Sequence, residues 1–306
     1  MTNTYQQLTG SQPRGQTREA IHPDTHPGMV TLRVADLERS TRFYQDVIGL
    51  QVTGRDGDTA TLGVDGTSLL ALQVVPGAQP APRRTTGLFH VAILLPTQAD
   101  LGRALQRMLA AGIPVGQGDH LVSEALYLSD PDGNGIEVYR DRPRSTWRWQ
   151  NGQVQMATDP VDLAGLIAAA EREPAAGVGA PAQTTIGHVH LKVADLGEAK
   201  AFFQDVLGFN VTAEMPGALF VSAGGYHHHF GLNTWQSRGA APAPADTAGL
   251  VSYTIVLPDA GALTDVVGRL EASGIDYTRD GTHVLLRDPW NNQVVLAVDP
   301  TAADRR

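Results

Sequence analysis

The sequence contains no cysteine among its 306 residues, which excludes disulfides, zinc–thiolate sites and thiol nucleophiles. It also lacks an apolar run of the roughly 18–20 residues that a membrane-spanning helix needs. Lys and Arg number 23 against 32 Asp and Glu, and the formal net charge of -9 argues against nucleic acid or an anionic membrane as the main partner. The first residues show no basic-then-apolar signal pattern, so we expect a cytoplasmic protein.

The residues that are present describe a globular protein, because 42% are hydrophobic and only 18% are charged. The length suffices for two domains of ordinary size. Residues 1–27 are polar and offer little to bury, so we expect them to form a flexible amino-terminal arm.

An internal repeat, which begins at Met29, defines the organisation of the chain. Residues 30–37 alternate between apolar and polar side chains as a strand does, and apolar residues at helical spacing follow until Gly49. The same pattern returns at residues 189–196 and ends at Gly208. In both copies an aspartate precedes the helix, where an N-cap residue is expected.

Two further copies of the repeat are more diverged. Residues 90–96 and 252–258 are apolar strands that lead into helices, and each copy ends in an Asp-Pro turn, at 130–134 and 288–292. The sequence therefore predicts four units of strand, helix and three strands, each of roughly 50 residues, which is too small to bury a core alone. The units must pair with one another.

Four sequence motifs carry a resemblance to a known family. The helix ends Phe-Tyr-Gln-Asp-Val-Ile-Gly and Phe-Phe-Gln-Asp-Val-Leu-Gly, the turn Asp-Pro-Asp-Gly-Asn-Gly-Ile-Glu and the fourfold repeat resemble the vicinal oxygen chelate superfamily. This group includes glyoxalase I, bleomycin resistance proteins and extradiol dioxygenases, and with four units the chain is most similar to the catechol 2,3-dioxygenase branch. The resemblance implies an α+β fold in which four βαβββ modules pair into two cupped mixed sheets around a divalent metal.

We predict four βαβββ modules and one linker that contains a short helix. The module boundaries, in chain order, are 28–78, 85–141, 184–236 and 247–299, and the linker is 142–183.

The metal ligands of the family lie on the first and last strands of a module. Modules 2 and 3 carry ligand-type residues at three such positions: His90, Glu137 and His188. Modules 1 and 4 carry residues unsuited to a hard divalent metal at the corresponding positions: Met29, Ser252 and Val295. Two imidazoles and one carboxylate, with the other positions open, form the facial triad of non-haem iron(II) oxygenases.

The positions of the three ligands restrict how the modules pair. Only pairing of module 2 with module 3, and hence of 1 with 4, completes the triad within one chain. A domain-swapped dimer would complete it between two chains. We predict pairing within the chain, and a homodimer stays open as the assembly.

Further residues match the extradiol enzymes around the triad. Tyr127 lies ten residues before Glu137, and His120 lies seven before Tyr127. The resemblance implies that Tyr127 hydrogen-bonds a phenolic oxygen and that His120 lies at the pocket rim. The triple histidine at 227–229 resembles the motif that supplies the acid–base histidine of the family. We choose His228 for this role, with His229 in reserve, because a slip of one residue reverses the face of a strand.

The resemblance implies an Fe(II)-dependent extradiol dioxygenase that cleaves a catechol- or hydroquinone-like ring with O2, with Mn(II) or another divalent metal as the alternative cofactor. Two other classes stay open. A glyoxalase- or epimerase-type enzyme with Ni, Zn, Co or Mn would need a fourth ligand, such as a histidine at 227–229. A metal-free binding module, such as a drug-sequestering protein, predicts degraded ligand positions in all four modules, whereas here they are degraded in two.

Overall fold

The computed structural model describes residues 20–173 and 177–299. Each module begins with a strand and a capped helix. Asp36, Thr97, Asp195 and Asp259 each accept a hydrogen bond from a backbone N–H of the first helical turn, which satisfies a donor that the helix itself leaves unpaired. Three strands then follow in every module.

Module 1 contains one helix that continues into a π-helical turn, and module 2 contains one longer helix. The elements of module 1 are β1 (His26–Val34), α1 (Leu37–Phe43) with the turn Tyr44–Ile48, β2 (Gln51–Asp56), β3 (Thr59–Val64) and β4 (Thr67–Val74). Those of module 2 are β5 (Gly87–Leu95), α2 (Gln98–Ala110), β6 (Gly116–Asp119), β7 (Ser123–Ser129) and β8 (Gly135–Asp141).

The linker contributes a short hairpin and one helix between the two halves of the chain. Its elements are a 3-10 turn (Arg144–Thr146), β9 (Trp149–Gln150), β10 (Gln153–Val154) and α3 (Leu163–Arg172). Module 3 contains β11 (Thr185–Lys192), α4 (Leu196–Lys200) with the π-helical turn Ala201–Val206, β12 (Asn210–Met215), β13 (Ala218–Ser222) and β14 (Phe230–Asn233). Module 4 contains β15 (Gly249–Leu257), α5 (Ala260–Ala272), β16 (Tyr277–Asp280), β17 (His283–Arg287) and β18 (Gln293–Val298).

The strands form two eight-stranded mixed sheets. In the terminal sheet, built from the first and last modules, the order is β16-β17-β18-β15-β1-β4-β3-β2. In the central sheet, built from the two middle modules, it is β12-β13-β14-β11-β5-β8-β7-β6. At the centre of each sheet, the first strands of its two modules pair antiparallel: β1 pairs with β15, and β5 pairs with β11. The expected α+β fold with two sheets is therefore present.

One arginine in each of the two longer helices joins neighbouring modules. Arg107 donates from Nη2 to the carbonyl of Ile48 at 2.9 Å, and Arg269 donates from Nη2 to that of Leu207 at 3.0 Å. Both carbonyls lie at the end of a π-helical turn, where the helix has no further N–H to offer them. A cation at this end also interacts favourably with the helix dipole.

The Asp-Pro turns of modules 2 and 4 share one hydrogen-bond pattern. Asp130 Oδ1 accepts from the backbone N–H groups of Asp132 and Asn134. Asp288 Oδ1 accepts from those of Trp290 and Asn292. The buried aspartates thus stabilise the turns that precede strands β8 and β18.

The end of the predicted amino-terminal arm is packed. Ile21 is buried, and its N–H donates to the carbonyl of Gly208 at 2.9 Å. The strand β1 then begins at His26, before the predicted start of module 1. Residues 1–19 lie outside the described part of the chain. Among the described residues, no helix is long and apolar enough to cross a membrane.

Candidate metal centre

Three adjacent strands of the central sheet bring the predicted ligands together. Strand β5 lies between β8 and β11 and carries His90. Its Ala92 is paired with Glu137 on one side and with His188 on the other. Because residues i and i+2 of a strand share a face, His90 projects on the same side as Ala92 and its two neighbours.

The three ligand atoms form a nearly equilateral triangle. Glu137 Oε2 lies 2.9 Å from His90 Nε2 and 3.1 Å from His188 Nε2, and the two imidazole nitrogens are 3.2 Å apart. Ligand atoms that occupy cis positions about 2.1 Å from an octahedral ion are about 3 Å apart. The triangle therefore fits one face of an octahedral metal site.

The protonation states of His188 and Glu137 suit a cation. Burial lowers the pKa of His188 to about 4, so its imidazole is neutral at pH 7. Burial alone would raise the pKa of Glu137, but His188 and His90 outweigh that effect and hold the pKa well below its usual range. Metal ions bind neutral imidazoles and ionised carboxylates, so His188 and Glu137 already have the forms that a metal binds.

The other nitrogen of His188 is held differently from most metal-ligand histidines. Its Nδ1 is buried and has no hydrogen-bond partner among the described residues. The ring is instead held by neighbouring rings, Tyr139 at 5.0 Å and His228 at 4.2 Å between centroids. Packing therefore does the orienting that a hydrogen bond usually does in such sites.

Tyr127 and His120 lie together beside the triad. Tyr127 on β7 is the cross-strand neighbour of Glu137, and its hydroxyl is 2.6 Å from His120 Nε2. His120 Nδ1 lies 2.7 Å from the carbonyl of Ala157 in the linker. Burial, and then the charge of Glu137, raise the pKa of Tyr127, so its hydroxyl stays protonated and can donate.

The triple histidine lies in the loop before β14, not on that strand as the sequence suggested. His228 turns toward the triad, because its ring packs against that of His188. His229 turns away, because its Nδ1 lies 3.1 Å from Ser222 Oγ and its side chain lines a separate cavity near His26. Burial lowers the pKa of His228 well below the usual range, so the ring is neutral.

The candidate ligand group has three members. Among the described residues, the cluster of side chains able to hold a metal contains only His90, Glu137 and His188. Residues 227–229 do not join it as a fourth ligand.

His190 belongs to the site and was missed from the sequence. It is buried, its ring lies 4.9 Å from that of His90, and its Nε2 has no hydrogen-bond partner among the described residues. Burial lowers its pKa well below the usual range, which leaves a neutral polar group. The signal that could have found it is the spacing of two residues from His188, which puts both side chains on one face of β11.

The linker covers this part of the central sheet. Trp147 is buried against the ring of Tyr226 at 5.6 Å and that of His227 at 5.1 Å, and its Nε1 donates to the carbonyl of Arg142. Strand β10 adds Val154 to the same apolar cluster. The linker thus shields the loop that contains residues 227–229, the histidine loop, from solvent.

Known proteins resemble this chain over most of its length. The family model described as Glyoxalase/Bleomycin resistance protein/Dioxygenase superfamily matches residues 26–138 and 185–296. The chain is 50% identical to catechol-2,3-dioxygenase of Bacillus subtilis (strain 168) over 91% of this chain and 99% of that protein. It is 29% identical to biphenyl-2,3-diol 1,2-dioxygenase 3 of Rhodococcus globerulus over 42% of this chain and 72% of that protein.

A solved structure shows the same fold. The crystal structure of glyoxalase I from Zea mays superimposes with a TM-score of 0.55 at 17% identity, covering 92% of this chain and 95% of that one. This likeness concerns the fold alone.

Proposed function

This chain belongs to the glyoxalase/bleomycin resistance protein/dioxygenase superfamily, and from that premise we propose that it is an extradiol dioxygenase that opens the ring of an aromatic diol with O2. The oxidoreductase class follows from the 50% identity to catechol-2,3-dioxygenase of Bacillus subtilis over nearly the whole of both chains. We further propose Fe(II) as the metal and a catechol- or hydroquinone-like ring as the substrate.

The observation that carries the proposal is the buried triangle of His90, Glu137 and His188, whose edges of 2.9, 3.1 and 3.2 Å match three cis positions of an octahedral ion. Three protein ligands leave three positions for other molecules. A divalent metal bound there supplies adjacent positions for a diol and for O2. A glyoxalase-type site would use a fourth protein ligand, which the described residues do not provide.

The residues around the triangle have complementary roles in this proposal. Tyr127 keeps its hydroxyl proton beside Glu137, and when a diol is bound this O–H turns from His120 Nε2 to donate to a phenolic oxygen. The ring of His228 packs against that of His188 and is neutral. It can therefore accept a proton from the diol and return it later in the reaction. His120 lies 2.6 Å from the Tyr127 hydroxyl and orients it.

The surroundings of the site serve the same chemistry. The triad is nearly inaccessible to solvent, and the linker shields the loop that carries His228. Water is thereby kept from the reacting groups, which protects reactive intermediates from hydrolysis.

We also propose that modules 2 and 3, with the boundaries 85–141 and 184–236, form the catalytic unit. The strand order supports this, because β5 and β11 pair directly and each supplies one histidine. Modules 1 and 4 would then serve as a scaffold.

The test is anaerobic reconstitution of the metal-free protein with Fe(II), or with Mn(II) in a parallel sample, followed by air and a panel of catechols and hydroquinones. We expect consumption of O2 in equal amount to the diol and a ring-fission product that absorbs visible light. His188→Ala should abolish both. Ser252→Ala, at the position in module 4 that corresponds to His90, should leave both unchanged. Equal product from wild type and His188→Ala would assign the reaction to free metal and sink the proposal.

A further inference from the structure

A chain of hydrogen-bonded polar groups runs from Asp141, at the end of strand β8, to His228. His228 Nδ1 lies 2.8 Å from His227 Nδ1, and His227 Nε2 lies 2.8 Å from Asp141 Oδ1. The His227 side chain is fully buried, whereas that of Asp141 is 25% exposed. No step of the proposed reaction described above uses either residue.

The chemistry of the groups fixes the direction of these hydrogen bonds. An ionised aspartate can only accept, so Nε2 of His227 must carry the proton and donate to Asp141. When the His227 ring carries a single proton, that proton is on Nε2, and the bare Nδ1 accepts. The proton between the two rings therefore lies on Nδ1 of His228.

We propose that Asp141 and His227 are positioning residues that hold His228 in the tautomer with the proton on Nδ1, so that its Nε2 is the bare, proton-accepting nitrogen. This inference rests on the proposed function, because it concerns the acid–base histidine of that reaction. Which nitrogen of a histidine is protonated is set by the hydrogen bond that the other nitrogen makes.

The surroundings of His228 agree with this assignment. Among the described residues, Nδ1 of His228 bonds only to His227, and no described group bonds to Nε2. The His228 ring packs against the ligand His188 at 4.2 Å and against Phe220 at 4.9 Å between centroids. A side chain without the bond to His227 would be free to carry its proton on either nitrogen.

Two tyrosines complete the chain and hold the carboxylate in place. Tyr226 donates from its hydroxyl to Asp141 Oδ1 at 3.2 Å, the same oxygen that His227 uses. The hydroxyl of Tyr139 lies 2.7 Å from that of Tyr226. Because Tyr226 already donates its own proton to Asp141, it accepts from Tyr139. Asp141 thus has a fixed orientation, which a partly exposed aspartate would otherwise lack.

The direct test is nitrogen-15 NMR of the protein labelled at its histidine rings, in the metal-free form and with zinc(II) as a diamagnetic probe. The shifts of Nδ1 and Nε2 distinguish a protonated from a bare ring nitrogen. Comparison with His228→Gln assigns the His228 signals. We expect a protonated Nδ1 and a bare Nε2 in the wild type. A protonated Nε2 on His228 would overturn the proposal, whatever the activity of the enzyme.

Two variants of one residue separate positioning from packing. Asp141→Asn keeps an oxygen that can accept from both His227 and Tyr226, so we expect the wild-type tautomer. Asp141→Ala removes the acceptor, so we expect the Nε2–H form of His228 to become the major one. An unchanged tautomer in Asp141→Ala would contradict the proposal. Tyr226→Phe leaves the aspartate in place, and we expect it to keep the wild-type tautomer.

Turnover gives a second readout on the reconstituted enzyme. We expect Asp141→Ala to lower kcat by about 10- to 100-fold, as loss of a supporting partner often does, with KM within about twofold. Asp141→Asn should restore most of kcat. Zinc affinity should be unchanged in both, because neither replaces a ligand. If no diol is turned over by the wild type, the proposed function fails, whereas the NMR result still decides the tautomer.

Discussion

The central and terminal sheets have the same strand order and register but different chemistry. In the central sheet Ala92 pairs with Glu137 and His90 with His190. In the terminal sheet the equivalent pairs are Thr254 with Val295 and Ser252 with Thr31. The same backbone therefore carries a candidate metal site in one sheet only, and a few side chains at fixed register positions make the difference.

The two sheets also differ in how deeply these positions are buried. His90, Glu137 and His188 are buried, whereas their counterparts Ser252, Val295 and Met29 are half-buried. The linker and the histidine loop lie over the first group. Exclusion of water is thus a second property, besides the ligands, that the terminal sheet lacks at these positions.

The largest difference between the sheets should be metal affinity. His90→Ala removes one of three ligands, so we expect the affinity for a divalent metal to fall by at least about 1,000-fold. Ser252→Ala changes the equivalent position of the terminal sheet and should have no effect. Titration of the metal-free proteins with cobalt(II), followed by calorimetry, measures both. Equal affinities for the two variants would remove the distinction between the sheets.

The ionisation of Asp288, in the Asp-Pro turn of the terminal sheet, should make the free energy of unfolding depend on pH. Burial raises the pKa of Asp288 from 3.8 to about 6. A raised pKa means that the folded protein holds this proton more tightly, so the stabilisation is present below about pH 4 and is lost as the pH rises through about 6. Relative to Asp288→Asn, the wild type should lose on the order of 3 kcal/mol of unfolding free energy between pH 4 and 7.5.

Urea unfolding of wild type and Asp288→Asn at several pH values measures this loss. Burial also raises the pKa of Asp130 in the central sheet, so Asp130→Asn should show a difference of the same sign. A difference that stays constant from pH 4 to 7.5 would show that the Asp288 carboxyl keeps its ordinary pKa in the folded protein.

The two bridging arginines should be equivalent despite the different chemistry of the sheets. Arg107→Ala and Arg269→Ala each remove hydrogen bonds to carbonyls at a helix end, and we expect each to cost about 2 kcal/mol of unfolding free energy. Chemical denaturation of the two variants tests this. A large inequality would mean that one junction between modules is held mainly by other contacts.

The smallest expected effect concerns the diol. Tyr127→Phe removes one hydrogen bond and should weaken binding of a catechol to the zinc-loaded protein by about 10-fold, with metal affinity unchanged. Its counterpart Leu285, which pairs with Val295 as Tyr127 pairs with Glu137, is the control: Leu285→Ala should leave catechol binding as it is. Calorimetry with catechol distinguishes the two. Unchanged binding in Tyr127→Phe would remove the phenol contact from the proposal.

Much of the fold could be predicted from the sequence because its structural unit is repeated four times. A single strand–helix unit is ambiguous, but four aligned copies fix the elements of each, and the α+β fold with two sheets is confirmed. The identification of the superfamily is confirmed as well. The assigned roles of His90, Glu137, His188, Tyr127 and His228 stay predictions, although the structure brings these residues together.

What could not be read depends on contacts distant in sequence. The direction of the His228 side chain follows from a loop conformation. The alternation of side chains along a strand cannot predict it, because residues 227–229 precede the strand. His190 was missed because its only sequence signal is the spacing of two residues from His188, and that spacing does not by itself assign a role. Nothing in the composition of residues 142–160 shows that Trp147 packs against the histidine loop, since that contact joins the linker to module 3.

The terminal sheet joins the first and last modules of the chain, which has a consequence for biosynthesis. The guanidinium of Arg33 on β1 donates to the carbonyl of Leu250 on β15, 217 residues later, whereas His90 and His188 are 98 residues apart. At the usual ribosomal rate of about 5–20 residues per second, the first strand waits roughly 10–40 s for its neighbour. The central sheet can close while that strand edge still lies open, and an open edge is prone to pair with other chains. Translation speed and chaperone access after the first module should therefore govern the yield of native protein.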